Sequence, residues 1–219
     1  MNLKEYILNE IKELAVSNNI KSAQKLFKRF PITHIPIVEN GHLLGCLSER
    51  DTQTIEDNNG PISEHAHLID FFFASENATI LELVKLFADN DCNMMPVLNK
   101  EKQYLGYFEL SDILDLFSTS PFLYNDGVEI VIEKLKKEFS TSEVSQIVES
   151  NDGRLLGVFI SNETSDLIQA TVKVTSEDIN EIIQTFRRYN YNIVSQYKDD
   201  FYLKDLKDRS DYLQKYLDM

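Results

Sequence analysis

Ser48 and Asp51 stand three residues apart in the stretch GCLSERD, and the pair admits two kinds of chemistry. A hydroxyl three residues ahead of a carboxylate can cap a helix start, the Ser oxygen accepting an orphan amide while the acid reaches back. The same side chains can grip a ligand, because a carboxylate accepts two hydroxyls in charge-assisted bonds and a helix N-terminus favours a phosphate. Arg50, between them, adds a positive charge. In SEHAHLID, His65 and His67 put two rings on one face of an extended segment and Glu64 precedes them. Zinc takes about four ligands and no further group is spaced to complete this set, so no metal is expected. Cys46 and Cys92 lie far apart with no CxxC pairing and read as core-filling thiols. There is no GxSxG, GxxxxGKS/T or GxGxxG, so the hydrolase, phosphate-loop and dinucleotide readings lack their mechanical parts. An enzyme is the least favoured class, and no cofactor is expected.

The chain contains an internal repeat. Laying Pro96 over Pro36, an offset of sixty residues, matches Ile20 with Ile80, Leu26 with Leu86 and Phe27 with Phe87. After one extra residue in the second copy, Gly45 meets Gly106 and Asp51 meets Asp112. Each copy opens on an amphipathic stripe at helical spacing, Ile20, Ala23 and Phe27 or Ile80, Leu83 and Phe87. HIPIV or MMPVL follows as a strand, then a turn and a second strand, LLGCLS or YLGYFE. A closing helix is expected to begin near Ser48 and near Ser111. The apolar run LIDFFF between the copies predicts a further strand in the second unit.

After STSPFLYNDG (118–127) the plan changes. VEIVIE, RLLGVFI, LIQATVKV and NIVS read as strands, with helices in STSEVSQIVESN, capped by Ser140 or Ser142, and in SEDINEIIQTFRRYN. In LIQATVKV, Ile168, Ala170, Val172 and Val174 face one way and Gln169, Thr171 and Lys173 the other, predicting one buried face and one at least partly wet. The order is a split βαβ, βαββαβ, on an antiparallel sheet. Leu203, Leu206, Leu213 and Leu217 predict a C-terminal helix.

The paired units, each with an apolar-Pro-apolar strand, a Gly in the next strand and an Asp at the following helix start, resemble tandem CBS domains. The last ninety or so residues are similar to an ACT-type regulatory domain. The expected class is therefore α/β (α+β), with CBS motifs at 1–60 and 61–120, a linker at 121–126, a ferredoxin-like ACT-type domain at 127–197 and a helical tail at 198–219. The CBS resemblance implies a regulatory or sensor protein binding an adenosine-containing molecule: AMP, ADP, ATP or S-adenosylmethionine. By that likeness Thr33, His34, Ile35 and Pro36 would present backbone to the adenine, Asp51 would accept the ribose hydroxyls, and Ser48 would donate to a phosphate or ribose oxygen, with Arg50 nearby. Asp112 would serve a second, unequal cleft, where Glu109 replaces the hydroxyl and disfavours an anion. Both resemblances imply a homodimer. The ACT-like unit lacks, in KKEFSTSE, the Gly that amino-acid-binding members often place there, so association is its expected role. The alternative is a scaffold protein whose clefts are filled by side chains.

Composition narrows the partners. The 219 residues carry 22 Lys and Arg against 36 Asp and Glu, a net charge of −14, which repels nucleic acid and anionic membrane surfaces. The N-terminus MNLKEYILNEIKELAV mixes charges among its apolar residues and lacks the core of a signal peptide or a spanning segment, so a cytoplasmic protein is expected. With no catalytic domain evident, whatever is regulated would be reached in trans or through the ligand.

Overall fold

Asn19 opens the first helix of the computed structural model, which describes residues 3–195; its side chain accepts the amide of Ser22 at 3.0 Å. From that cap, α1 (Ile20–Arg29) buries Ile20, Ala23 and Phe27 along one stripe. The strands β1 (His34–Glu39) and β2 (His42–Ser48) follow as an antiparallel hairpin, with His34 opposite Ser48, and α2 (Glu49–Thr54) starts directly from Ser48. The chain then gives β3 (Ile69–Asp70) to β2 and β4 (Ala74–Ser75) to the second sheet. The second copy repeats the plan with α3 (Ile80–Asp89), β5 (Met94–Leu98), β6 (Tyr104–Glu109) and α4 (Leu110–Ser118), and sets Met94 opposite Glu109.

One expectation is corrected here. LIDFFF does not add one strand to the second unit: Ile69–Asp70 pairs with Cys46 and Leu47 of the first sheet, and the second sheet gains Ala74–Ser75 instead. The room for that pairing comes from Gly45, where a Cβ would lie 2.5 Å from Ile69 Cγ2 and 2.7 Å from the Asp70 carbonyl oxygen. The second closing helix begins at Leu110, next to Ser111 as expected, and the carbonyl of Asn93 accepts the Leu110 amide at 3.0 Å. The carbonyl of Thr33 holds the Glu49 amide in the same way at 2.8 Å.

The repeats share a seam. Thr33 donates its amide to Asn93 Oδ1 at 2.8 Å, and Asn93 donates its amide to Thr33 Oγ1 at 3.0 Å. Met94 and Tyr107 of the second copy pack in the core of the first, and Cys46 packs in the core of the second. The N-terminal segment serves both copies: Leu8 bridges Tyr107 and Leu14 bridges Ile37.

The chain parts into two compact units between Thr119 and Ser120. In the second unit, the stretch expected as a linker carries a helical turn, α5 (Pro121–Tyr124). Beyond it β7 (Val128–Leu135), α6 (Thr141–Glu149), β8 (Arg154–Glu163), β9 (Leu167–Thr175), α7 (Ile179–Arg188) and β10 (Asn192–Ile193) form the split βαβ, with Ser140 capping α6. The sheet order is β10-β7-β9-β8, antiparallel throughout. Ala170, Val172 and Val174 are fully buried, as their alternation requires. Thr171 and Lys173, placed on the wetter face, are buried too, because Phe122 of α5 packs where Gly157 has no side chain and Lys173 Nζ donates to the Leu123 carbonyl at 3.2 Å. Lys134 and Tyr191 meet on Glu143 Oε2, at 2.6 and 2.7 Å, tying β7, α6 and the entry to β10 together. The C-terminal helix expected at 198–219 lies outside the described residues.

Candidate functional site

The hairpin register sets the start of β1 against the end of β2, and a cavity of about 380 Å³ opens where they meet. Thr33, His34, Ser48, Arg50 and Asp51 line it together with Glu49 and Asp70. Asn90 and Asp91, from the turn after α3, close it from the second repeat. The sequence reading missed Asp70, Asn90 and Asp91, which reach the cavity only through tertiary packing; the sixty-residue repeat was the available signal, since Phe30 and Pro31 are the matching residues of the first copy.

Ser48 acts as a helix cap and also belongs to the cavity wall. Its Oγ accepts the Asp51 amide at 3.0 Å and donates to Asp51 Oδ2 at 2.6 Å. Asp51 Oδ1 makes no hydrogen bond among the described residues. His34 is buried, its Nδ1 lies 2.9 Å from Thr33 Oγ1, and its ring meets Phe72 edge-on at 5.4 Å. Burial pushes its pKa below the ordinary 6.5, against the opposing pull of Asp70, Asp51 and Asp91, so the imidazole is neutral at pH 7.

Three of the expected contact residues do not line this cavity. Ile35 and Pro36 lie in the core of β1, paired with Leu47 and Cys46, and the Pro36 carbonyl accepts the Leu14 amide at 3.0 Å. Asp112 is absent from the wall of the matching second cavity, about 430 Å³, which is lined by Ile11, Phe30, Pro31, Ile32 and Asn93 and by Glu109, Leu110, Ser111 and Leu114. The carboxylate on that wall is Glu109, which caps no amide of α4 and accepts only a long 3.5 Å bond from Ser111 Oγ.

A larger hollow, about 500 Å³, lies beside α3 and includes none of the expected ligand-contact residues. Among the described residues no three His, Cys, Asp or Glu side chains gather to hold a metal ion. Burial raises the Cys46 thiol well above its ordinary range and pushes Cys92 up to about 12, which keeps both protonated and unreactive. No described helix is long and apolar enough to cross a membrane.

With this geometry in place, comparison with known proteins names the class of the N-terminal unit. Residues 4–52 and 66–119 match the CBS domain family model, so the unit consists of tandem CBS domains. An uncharacterized protein of Methanocaldococcus jannaschii is 23% identical over 112 residues, covering 51% of this chain and 42% of that protein. Inosine-5'-monophosphate dehydrogenase of Streptococcus pyogenes is 26% identical over 103 residues, 46% of this chain and 21% of the enzyme. The chain thus spans less than half the length of either relative. A solved CBS domain pair/ACT domain protein from Thermotoga maritima aligns over 53% of this chain and 96% of that one, at 18% identity and a TM-score of 0.48.

Proposed function

We propose that the N-terminal unit is a regulatory sensor whose first cavity takes an adenosine-containing small molecule, with AMP, ADP, ATP and S-adenosylmethionine as the candidates. The observation that carries this reading is Asp51, which lines a cavity of about 380 Å³ with one carboxylate oxygen held by Ser48 and the other unengaged. A fixed carboxylate with a spare oxygen suits the vicinal hydroxyls of a ribose. Thr33 and His34 stand on the same wall and supply polar contacts for the base. The tandem CBS match of the unit supports the assignment.

Ligand at a wall built from both repeats favours the arrangement of the pair that it fits, and this difference in affinity is the signal. The second unit, with the element order of an ACT domain, joins two chains into a homodimer. The protein works in the cytoplasm and reaches its regulated partner in trans. The alternative, a scaffold with side chains filling both clefts, is disfavoured by the open cavities of about 380 and 430 Å³.

A thermal-shift series on the purified chain with AMP, ADP, ATP, S-adenosylmethionine and NAD at millimolar concentration tests the reading. At a hundredfold excess over Kd, a bound ligand adds about 2.7 kcal/mol, a rise of several degrees in Tm. Silence from all the adenosine compounds sinks the sensor assignment.

A further inference from the structure

We propose that the cavity beside Asp51 selects an adenosyl ligand with no phosphate, neutral or cationic where AMP and ATP are anionic; this rests on the adenosine reading above. Four carboxylates, Glu49, Asp51, Asp70 and Asp91, line the cavity, and Arg50, exposed at its rim, is the one Lys or Arg among the lining residues. His34 cannot redress the balance at neutral pH, because burial keeps its imidazole uncharged. Like charges in a partly desolvated cavity repel more strongly than in bulk water, so each phosphate charge meets a wall of its own sign.

Apart from Arg50, few features that commonly rescue an anion are present. The helix α2 is only six residues long, and its Asp51 amide is taken by Ser48 Oγ at 3.0 Å. The carboxylates do not converge into a metal-holding group, so no divalent ion is pre-arranged to bridge wall and phosphate. Hydroxyls and cations, in contrast, meet acceptors on several sides: Asp51 for a ribose diol, Asp70 and Asp91 for positive charge. The second cavity shares the bias, since Glu109 stands at the place of Ser48 and no Lys or Arg lines that wall.

Calorimetric titration of the full chain at pH 7.5 and fixed ionic strength, with adenosine, S-adenosylmethionine, AMP and ATP, the last two with and without Mg²⁺, separates the possibilities. Adenosine and S-adenosylmethionine should bind about tenfold or more tightly than AMP and ATP. AMP affinity should rise with added salt as the repulsion is screened. It should rise severalfold in Asp70→Asn and Asp91→Asn. AMP or ATP binding as tightly as adenosine, with or without Mg²⁺, overturns the charge selection and leaves the adenosine reading standing. Binding by none of the four overturns both.

Discussion

Thr33 and Asn93 occupy matching places in the two repeats, sixty positions apart, and bond to each other reciprocally, each side-chain oxygen accepting the other's backbone amide at 2.8 and 3.0 Å. Thr33 also lines the first cavity and Asn93 the second, so the bond that joins the repeats joins the two walls. Thr33→Ala and Asn93→Ala should each cost about 1–3 kcal/mol, because each leaves a part-buried amide without its acceptor. In a double-mutant cycle followed by urea unfolding, the pair should show a coupling of about 1 kcal/mol. Strictly additive losses would show that the seam is held by other contacts.

The matched helix starts are unequal. Ser48 caps α2 through the Asp51 amide, whereas Glu109 makes no side-chain cap on α4. Ser48→Ala should therefore lower stability by about 1 kcal/mol, and Glu109→Ser should raise it by about 0.5–1 kcal/mol by supplying the missing acceptor. Thermal melts of the two variants check both signs.

The glycine of each motif is demanded by a close backbone approach. At Gly106, φ is +143° and a Cβ would stand 2.2 Å from the Leu8 carbonyl oxygen; Gly45, at +146°, meets Ile69 and Asp70 in the same way. Gly41 also has positive φ, +78°, with nothing within 4 Å. Gly106→Ala and Gly45→Ala should each cost about 2–4 kcal/mol, combining backbone strain with displaced neighbours, against about 1 kcal/mol for Gly41→Ala. Equal losses at the three positions, by urea midpoint, would remove the close-approach explanation.

His34 gives the stability a pH dependence of known sign. Its folded pKa lies below the ordinary 6.5, so its contribution is complete above that value and is lost as pH falls through the folded pKa, where the buried imidazole must be protonated. Urea midpoints should decline between pH 7 and pH 5, with a shallower decline in His34→Gln. An unchanged slope in that variant would assign the effect to other groups.

The repeat, the element order of both units and the Ser48–Asp51 pair were legible in the sequence because each is written in local spacing: helical stripes, period-two strands, a hydroxyl three residues from an acid. What depended on distant packing was not. Asp70 and Asp91 reach the wall only once β3 has closed on Gly45 and the second repeat has docked on the first. Ile35 and Pro36 were placed at the ligand by likeness alone, and their strand is buried on both sides. The run LIDFFF has the apolar content of a single strand, but the chain divides that region between two sheets, with Phe72 turned inward and Phe71 left 61% exposed.

Asp51 is the residue on which the sensor reading stands, and calorimetry of adenosine with the native chain and with Asp51→Ala tests it most directly. The expected result is saturable binding to the native chain and a loss of about tenfold or more in the variant, which should stay folded with a stability penalty of only about 1 kcal/mol. Equal affinity in the two proteins, or no heat from the native chain at millimolar adenosine, would contradict it.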